Sequence, residues 1–331
     1  MVNEATAVRA TPRELEYYPI PEDALGVDPS IFVSQYPQLY AGFSKSGCPV
    51  FYSKPGLLNI DGVECITTLD GILKFHWHVM QHEYKQILLQ FKKENPSFER
   101  FECVSVLDLS GLSITSLGSR MLDIIKKQAF IDSLCFPETM NKMVIVNAPR
   151  FFSATWAIIK GFLDPRTAAK IELFSSTSAA EKMLKELIDE DMLPRDYGGT
   201  AESTEVLLDM EASKNSAEGG RSRLVTEVMY VRSSLSFKFD LKPDEEAELW
   251  VYTRSSTGAS FRVVDAATKA PLCPPKTIIH SGANDDNVQP TKMQLTAMRV
   301  SGVGEVKFKA ENLKTRMSSE SYLVVANVYK K

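Results

Sequence analysis

Hydrophobic positions between residues 45 and 190 predict alternating strands and helices. Apolar residues recur at helical spacing from Thr68 to Glu94, which predicts one long helix. Strands are predicted around 49–52, in "CVSVLDLSG", in "KIELF" and in "KMVIVNAP", whose continuous apolar run is typical of a parallel strand. A helix is predicted over about 116 to 134, and another in "KMLKELID", before which Ser178 and Glu181 have capping-box spacing. The order predicts an α/β layer with a mixed, largely parallel sheet.

The pattern changes after residue 200. The stretch 201–223 is polar and contains glycine, which predicts a linker or an insertion. From 224 to 331 only strands are predicted, because "LSFKFDL", "ELWVYTR", "SFRVVDA" and "VKFKAEN" alternate apolar and polar residues. This pattern is typical of an all-β sandwich. With a flexible lead-in over 1–27, the α/β domain is expected over 28–200.

One short segment is apolar on nearly all sides. In "WAIIKGFLDPRTAAKI" the only charge from Trp156 to Leu163 is Lys160, and charged residues follow at once. Asp164 is suited to cap a new short helix and Pro165 suits its first position. Such a segment is either buried in a core or in contact with lipid, and the pattern alone favours the core helix.

Composition restricts the partners and the surroundings. The 331 residues carry a net charge of -4 and no basic excess, so we expect no nucleic-acid partner. The N-terminal stretch has no apolar leader, and no run is long enough to span a bilayer. The five cysteines are scattered, which argues against a disulfide framework or a zinc site and favours a reducing, intracellular setting.

Candidate catalytic chemistry is sparse. His76, His78 and His82 lie close together, and the last two are four residues apart on one helix face, so a metal enzyme is one hypothesis. Asp108 ends a predicted strand, where catalytic carboxylates occur, but a hydrogen bond to the next turn is the favoured interpretation. No nucleophile, phosphate-loop or dinucleotide motif is present. We therefore expect no enzyme, no catalytic residue, no metal and no cofactor.

A resemblance to a known family adds a specific function. The stretch "NKMVIVNAPRFFSATWAIIKGFLDPRTAAKIELF", with "LPRDYGG" after it and "SGCPVFY", "LDLSGLSI" and "FPETMNK" before it, resembles the CRAL-TRIO lipid-binding domain of the phosphatidylinositol-transfer branch. The resemblance covers roughly 30 to 200. "ELWVYTRSSTGASFRVVD" and "VKFKAENLK" resemble a GOLD domain.

The resemblance implies a hydrophobic pocket above a mixed sheet, closed by a mobile helix. The gate matches residues 156–167, where Lys160 would also meet anionic headgroups. Its implied residues are Trp156, Ile159, Phe162, Leu163, Asp164, Pro165 and Arg166. The resemblance implies that Glu138 and Lys170 form the headgroup site for an inositol phosphate.

The same resemblance implies a choline-lipid site at Phe51, Cys103 and Ser105, of which the first two lack the family's hydroxyl groups. Phosphatidylinositol, or an apolar ligand such as a sterol, a tocopherol or a terpenoid, is therefore expected in place of phosphatidylcholine. About 27 residues stand where the family usually has a helical bundle, which indicates a truncated or shortened member.

The expected function is thus a cytoplasmic lipid-binding or lipid-transfer protein that contacts membranes transiently and holds a phospholipid or another hydrophobic ligand. The alternative is a membrane-trafficking adaptor, peripheral to endomembranes such as the Golgi. It would bind a protein partner through the GOLD-like domain and keep a vestigial or regulatory pocket.

Overall fold

The computed structural model describes residues 18–114, 118–214, 220–282, 287–302, 304–314 and 320–331. Most of the predicted lead-in lies outside these residues. The chain forms two compact units. The first contains Tyr36–Leu58 and Ile72–Leu208, and the second contains Leu25–Gln35, Asn59–Gly71 and Asp209–Lys331.

The first unit contains a five-stranded sheet in the order β1-β2-β3-β4-β5. Its strands are β1 (Gln38–Phe43), β2 (Pro49–Ser53), β3 (Cys103–Asp108), β4 (Met140–Val146) and β5 (Ile171–Leu173). The first two strands pair antiparallel, and the other neighbours pair parallel. The prediction of an α/β layer with a mixed, largely parallel sheet is therefore confirmed.

Helices account for most of the remaining elements of the N-terminal two thirds of the chain. They are α1 (Pro21–Leu25), α2 (Pro29–Gln35), α3 (Ile60–Ile66), α4 (Leu69–His78), α5 (Tyr84–Glu94), α6 (Ser119–Cys135), α7 (Phe152–Lys160), α8 (Pro165–Ala169), α9 (Thr177–Leu187) and α10 (Thr204–Lys214). The predicted long helix is present, but a π-helical turn at Val79–Glu83 divides it into α4 and α5. Short 3₁₀ turns lie at Pro55–Leu57 and Arg195–Tyr197.

Two local signals for helix starts had different outcomes. Asp164 caps α8 by accepting a hydrogen bond from the Arg166 N–H, with Pro165 at the first position, as predicted. The prediction that Ser178 begins the next helix was wrong, because the cap of α9 is Ser176, whose hydroxyl accepts from the Ala179 N–H. Both serines have the residue type of a cap, so the local pattern alone does not separate them.

The second unit has two antiparallel sheets that enclose one core. Its strands are β6 (Arg221–Val231), β7 (Ser234–Asp240), β8 (Glu245–Thr253), β9 (Ala259–Asp265), β10 (Lys276–Ile278), β11 (Thr291–Gln294), β12 (Val300–Ser301), β13 (Glu305–Asn312) and β14 (Glu320–Lys330). One sheet has the order β10-β9-β13-β7, and the other has the order β11-β8-β14-β6 with β12 beside β8. Phe261 and Phe308 from the first sheet and Tyr322 from the second are fully buried in the shared core.

A buried arginine holds the start of β6 within the second unit. The Arg221 guanidinium donates to Asp28 Oδ2 at 2.9 Å, to Asn327 Oδ1 at 3.0 Å and to Ala212 O at 2.6 Å. It also donates to the Ser30 hydroxyl. Because the arginine side chain is 2% exposed, these partners replace the water that its charge loses on folding.

Helix α10 occupies part of the stretch 201–223 that was predicted as a linker. Strand β6 begins near the end of that stretch, at Arg221. No helix in the described part of the chain has the length and apolar character needed to cross a membrane.

Candidate functional site

Side chains of the five-stranded sheet alternate between two faces. On β3, Val104 and Val106 point to the face that packs against α9, while Ser105 and Leu107 point to the face that α7 covers. On the α7 face, residues that are paired between neighbouring strands form a row across all five strands. That row is Tyr40, Phe51, Ser105, Met143 and Ile171.

The two faces differ in how completely they are buried. All buried side chains of the cluster on the α9 face are 0% exposed. Those of the cluster on the α7 face are 5–8% exposed, and most of the apolar side chains around them are only partly buried. The apolar layer under α7 is therefore less completely shielded from solvent than the layer under α9.

The residues expected to line a pocket lie on this face. Phe51 and Ser105 are direct neighbours in the register of β2 and β3. The Cys103 sulfur lies 3.4 Å from the Ser105 hydroxyl oxygen. Burial raises the pKa of the Cys103 thiol to about 11, so the thiol is neutral and unsuited to nucleophilic chemistry.

The segment of α7 and α8 is apolar on two sides, of which only one is buried. Phe152 and Ile159 are buried in the layer above the sheet, and Trp156 and Leu163 pack against it. In contrast, Ile158 is 51% exposed and Phe162 is 38% exposed. The segment therefore buries one face in the core, while Ile158 and Phe162 lie on its solvent-exposed side.

The junction between the two helices is charged. Asp164 Oδ1 accepts from the Arg166 backbone N–H at 2.8 Å and from its guanidinium Nε at 3.4 Å. These hydrogen bonds, the backbone one first, hold the pKa of the Asp164 carboxyl below its ordinary value. The carboxylate therefore remains a stable cap at neutral pH.

Glu138 and Lys170 are 32 residues apart in the chain and meet in space. The Lys170 ammonium lies 3.2 Å from Glu138 Oε2 and donates to the Met140 carbonyl at 2.7 Å. Arg166 Nη1 lies 4.0 Å from the other oxygen of the same carboxylate. Two cations thus flank one carboxylate at the edge of β4 and β5. The Glu138 backbone has a φ of 61°, a left-handed conformation that is uncommon outside glycine.

Asp108 takes part in a hydrogen-bond network at the end of β3. Its Oδ1 accepts from the Ser110 N–H at 2.9 Å and from Asn147 Nδ2 at 2.8 Å. The Tyr197 hydroxyl donates to Oδ2 at 3.3 Å, and Asn147 Oδ1 accepts from the Thr177 N–H at 2.9 Å. The favoured interpretation, a hydrogen bond to the next turn, is confirmed.

The histidines of α4 and the π turn are engaged with other groups. His76 Nε2 lies 2.6 Å from Asp132 Oδ1, and His78 Nδ1 lies 2.6 Å from the Tyr18 carbonyl. The His78 and His82 rings stack with centroids 5.3 Å apart. Within the described ranges no group of three histidine, cysteine or acidic side chains could hold a metal ion. The metal-enzyme hypothesis has no geometric support there.

Sequence comparison decides the family. The model of the family described as "CRAL/TRIO domain" matches residues 34–199, which is half of the chain. The chain belongs to the CRAL/TRIO domain family. The matched range includes the five-stranded sheet, α7, α8 and the ion pair of Glu138 with Lys170.

The CRAL/TRIO segment is similar to several curated proteins. The phosphatidylinositol/phosphatidylcholine transfer protein SFH4 of Arabidopsis thaliana is 34% identical over 167 residues, 50% of this chain and 27% of that protein. The SEC14 cytosolic factor of Candida glabrata is 33% identical over 174 residues, 51% of this chain and 55% of that protein. The chain therefore spans only part of these relatives.

Among solved structures, the crystal structure of Sfh5 aligns with a TM-score of 0.43 and 21% identity. That alignment covers 55% of this chain and 60% of the other.

One residue of the α7 face of this CRAL/TRIO domain was missed from sequence. Tyr40 lies opposite Phe51 in the antiparallel pair of β1 and β2, and the two ring centroids are 5.0 Å apart. The alternation in "QLYAGF" before the turn "SKSG" is the signal that could have placed it on this face.

Proposed function

We propose that this CRAL/TRIO protein is not an enzyme and that it binds and transfers a lipid. The ligand would lie between the five-stranded sheet and α7, and a phospholipid with an inositol headgroup is favoured. The observation that carries the proposal is that the apolar layer on the α7 face is partly exposed, whereas the apolar layer on the other face is fully buried. The transfer activity named for the relative SFH4 supports it.

The physical requirement for lipid transfer is an apolar site that competes with the bilayer. Each methylene group moved from water into an apolar site gains about 0.8 kcal/mol, so an acyl chain does not cross water unprotected. The apolar side chains beneath α7 would surround the chain in place of the bilayer. Loading and release can then remain close to balance.

In this proposal the α7–α8 segment is a gate that opens at a membrane surface. Ile158 and Phe162 already face outward, and the Lys126 ammonium lies 5.6 Å from the centre of the Phe162 ring. Apolar side chains beside cations, here also Lys160 and Arg166, are typical of contacts with anionic lipid surfaces. The charged cap at Asp164 would be the hinge.

The ion pair of Glu138 and Lys170 is the proposed headgroup site. Lys170 and Arg166 would contact a phosphate, and the Glu138 carboxylate would accept from inositol hydroxyls. A surface salt bridge would contribute only about 0–1 kcal/mol to stability. The left-handed backbone of Glu138 is an additional local cost, which favours a role in binding.

Native mass spectrometry of the full chain, followed by lipid extraction, tests this proposal. A phosphatidylinositol adduct is expected in the native protein and is expected to be lost in the double variant Glu138→Ala, Lys170→Ala. The matched control is Lys142→Ala, Glu172→Ala, which removes another ion pair between β4 and β5, 3.0 Å long. A protein that carries no lipid and takes none from liposomes would refute lipid binding.

A second proposal concerns the C-terminal unit. Its two antiparallel sheets around one core are compatible with a GOLD-like sandwich over 224–331, after a lipid-binding domain at 28–200 and a connection at 201–223. We infer that this unit binds a protein partner and directs the protein from the cytoplasm to endomembranes such as the Golgi, which is the adaptor alternative. Proximity labelling with the surface variant Lys307→Glu, Lys309→Glu tests it: an unchanged set of neighbours and an unchanged localisation would count against a partner on that sheet.

A further inference from the structure

One sheet of the second unit carries basic side chains on its outer face. In β13, fully buried positions alternate with the half-buried Lys307 and Lys309, which therefore point away from the core. Antiparallel register places Lys307 directly opposite Lys238 of β7, and Lys309 directly opposite Arg262 of β9. Residues that face each other in this way have Cβ atoms about 4.5–5.5 Å apart. These four cations on three neighbouring strands form the basic cluster.

The basic cluster is a cost to the stability of the sheet. Like charges directly opposite each other destabilise an antiparallel pair of strands. Two of the four cations have carboxylate partners, since Lys238 Nζ lies 2.7 Å from Glu305 Oε2 and Arg262 Nη2 lies 3.7 Å from Glu311 Oε2. The two lysines of β13 make no ion pair with any residue that the structure describes. The cluster therefore keeps two ammonium groups whose charge the described part of the chain does not neutralise.

The surroundings of the basic cluster are polar and open to solvent. Helices α2 and α3 pack on the other sheet of this unit, and the outward side chains of β7 are exposed. The structure describes all outward positions of β7, β9 and β13, and none of them carries an exposed apolar side chain, because Val264 is buried. Carboxylates lie at both ends of this face, with Glu305 opposite Asp240 at one end and Glu311 at the other.

These features restrict the chemistry of a partner. Contacts with a bilayer combine cations with apolar side chains that insert into it, and this face has none. An extended anionic surface would also meet the carboxylates at both ends. A compact anion between them avoids that repulsion. A phosphorylated serine or threonine carries a charge of about −1.5 to −2 near pH 7 and three acceptor oxygens, which matches two unpaired ammonium groups.

We propose that the basic cluster binds a phosphorylated serine or threonine of a protein partner. The phosphate accepts hydrogen bonds from Lys307 and Lys309. Arg262 adds a third contact, because its 3.7 Å separation from Glu311 is too long for a hydrogen bond. Ser236 lies opposite Lys309 and offers a hydroxyl donor at the same position of the sheet. This inference rests on the second proposal, a protein partner for the C-terminal unit, and names the chemistry of that partner.

The test measures binding of the full chain to an array of degenerate phosphoserine and phosphothreonine peptides, beside the same array without phosphate. Wild type is expected to prefer the phosphorylated array about tenfold, the effect of one charge-assisted hydrogen bond. Lys307→Gln, Lys309→Gln is expected to lose this preference, and Lys307→Arg, Lys309→Arg is expected to keep it. The matched control Lys292→Gln, Lys330→Gln removes two exposed lysines from strands of the other sheet and should bind as wild type does.

Melting temperature provides a second readout that separates binding from folding. Because the glutamine variant removes like charges that face each other, its melting temperature is expected to stay equal or to rise while the binding preference is lost. A lower melting temperature would overturn the inference, since the lysines would then support the sheet. Equal binding of wild type to the two arrays would also overturn it, as would binding to phosphatidylserine vesicles and to neither array.

The labelling experiment with Lys307→Glu, Lys309→Glu distinguishes this failure from failure of the second proposal. If the phosphorylated array is not preferred but that variant still changes the labelled neighbours, a protein partner of other chemistry uses this sheet and the second proposal stands. If the neighbours are unchanged as well, both fail.

Discussion

The outward side chains of the α7–α8 segment provide the sharpest test of membrane docking. The perturbation is the double variant Ile158→Ser, Phe162→Ser. These side chains are 51% and 38% exposed, so they contribute little to the core and can enter a membrane without unfolding the segment. A fully buried isoleucine or phenylalanine gains roughly 1.5–3 kcal/mol, and insertion of the exposed halves gives about 1 kcal/mol each. Loss of both is expected to weaken vesicle binding by about 2 kcal/mol, roughly 30-fold.

The assay is co-sedimentation with vesicles that contain phosphatidylinositol, combined with the rate of lipid transfer between vesicles. The matched control is Leu89→Ser, Phe101→Ser, which removes an aliphatic and an aromatic side chain that are 52% and 54% exposed elsewhere in the first unit. The control should bind as wild type does. Equal losses in the two double variants would show a nonspecific hydrophobic effect, and no loss in the α7–α8 variant would refute the gate as the docking surface.

Three further predictions concern stability and selectivity. Burial lowers the pKa of His76, but the Asp132 carboxylate raises it by more, so the pKa lies above its ordinary value of 6.5. The interaction of His76 with Asp132 therefore stabilises the fold fully below pH 6.5, and this stabilisation is lost as the pH rises through the raised pKa. Urea unfolding from pH 5.5 to 8.5 should show His76→Gln most destabilised at the acidic end, and a constant difference would contradict this. Arg221→Met leaves the Asp28 carboxylate without its cationic partner and should cost about 3–5 kcal/mol, whereas the exposed control Arg262→Met should cost under about 1 kcal/mol in the same unfolding measurement. Phe51→Tyr with Cys103→Ser restores two hydroxyl groups on the α7 face and should raise capture of phosphatidylcholine from vesicles, measured by mass spectrometry; unchanged capture would exclude these positions as the reason for selectivity.

The sequence pattern alone was sufficient to predict features that depend on local interactions. Strand residues alternate between faces, so Val104 and Ser105 had to point to opposite sides whatever their partners were. The Asp164–Pro165 start of α8 follows from capping chemistry within three residues. Local chemistry also has a limit, because Ser176 and Ser178 offer the same capping hydroxyl and only the final backbone selected the first.

By itself, the sequence determined the order of strands and helices, the change to an all-β pattern after about residue 223, and the motifs of the CRAL/TRIO family. Only the tertiary structure decided which distant groups meet. Lys170 reaches Glu138 because β4 and β5 pair, and Tyr40 reaches the row of Ser105 because β1 joins the edge of the sheet. The structure also assigned Leu25–Gln35 and Asn59–Gly71 to the second unit. The physical reason is that an alternating pattern specifies which face a side chain occupies, whereas strand pairing and packing over long separations choose its neighbours.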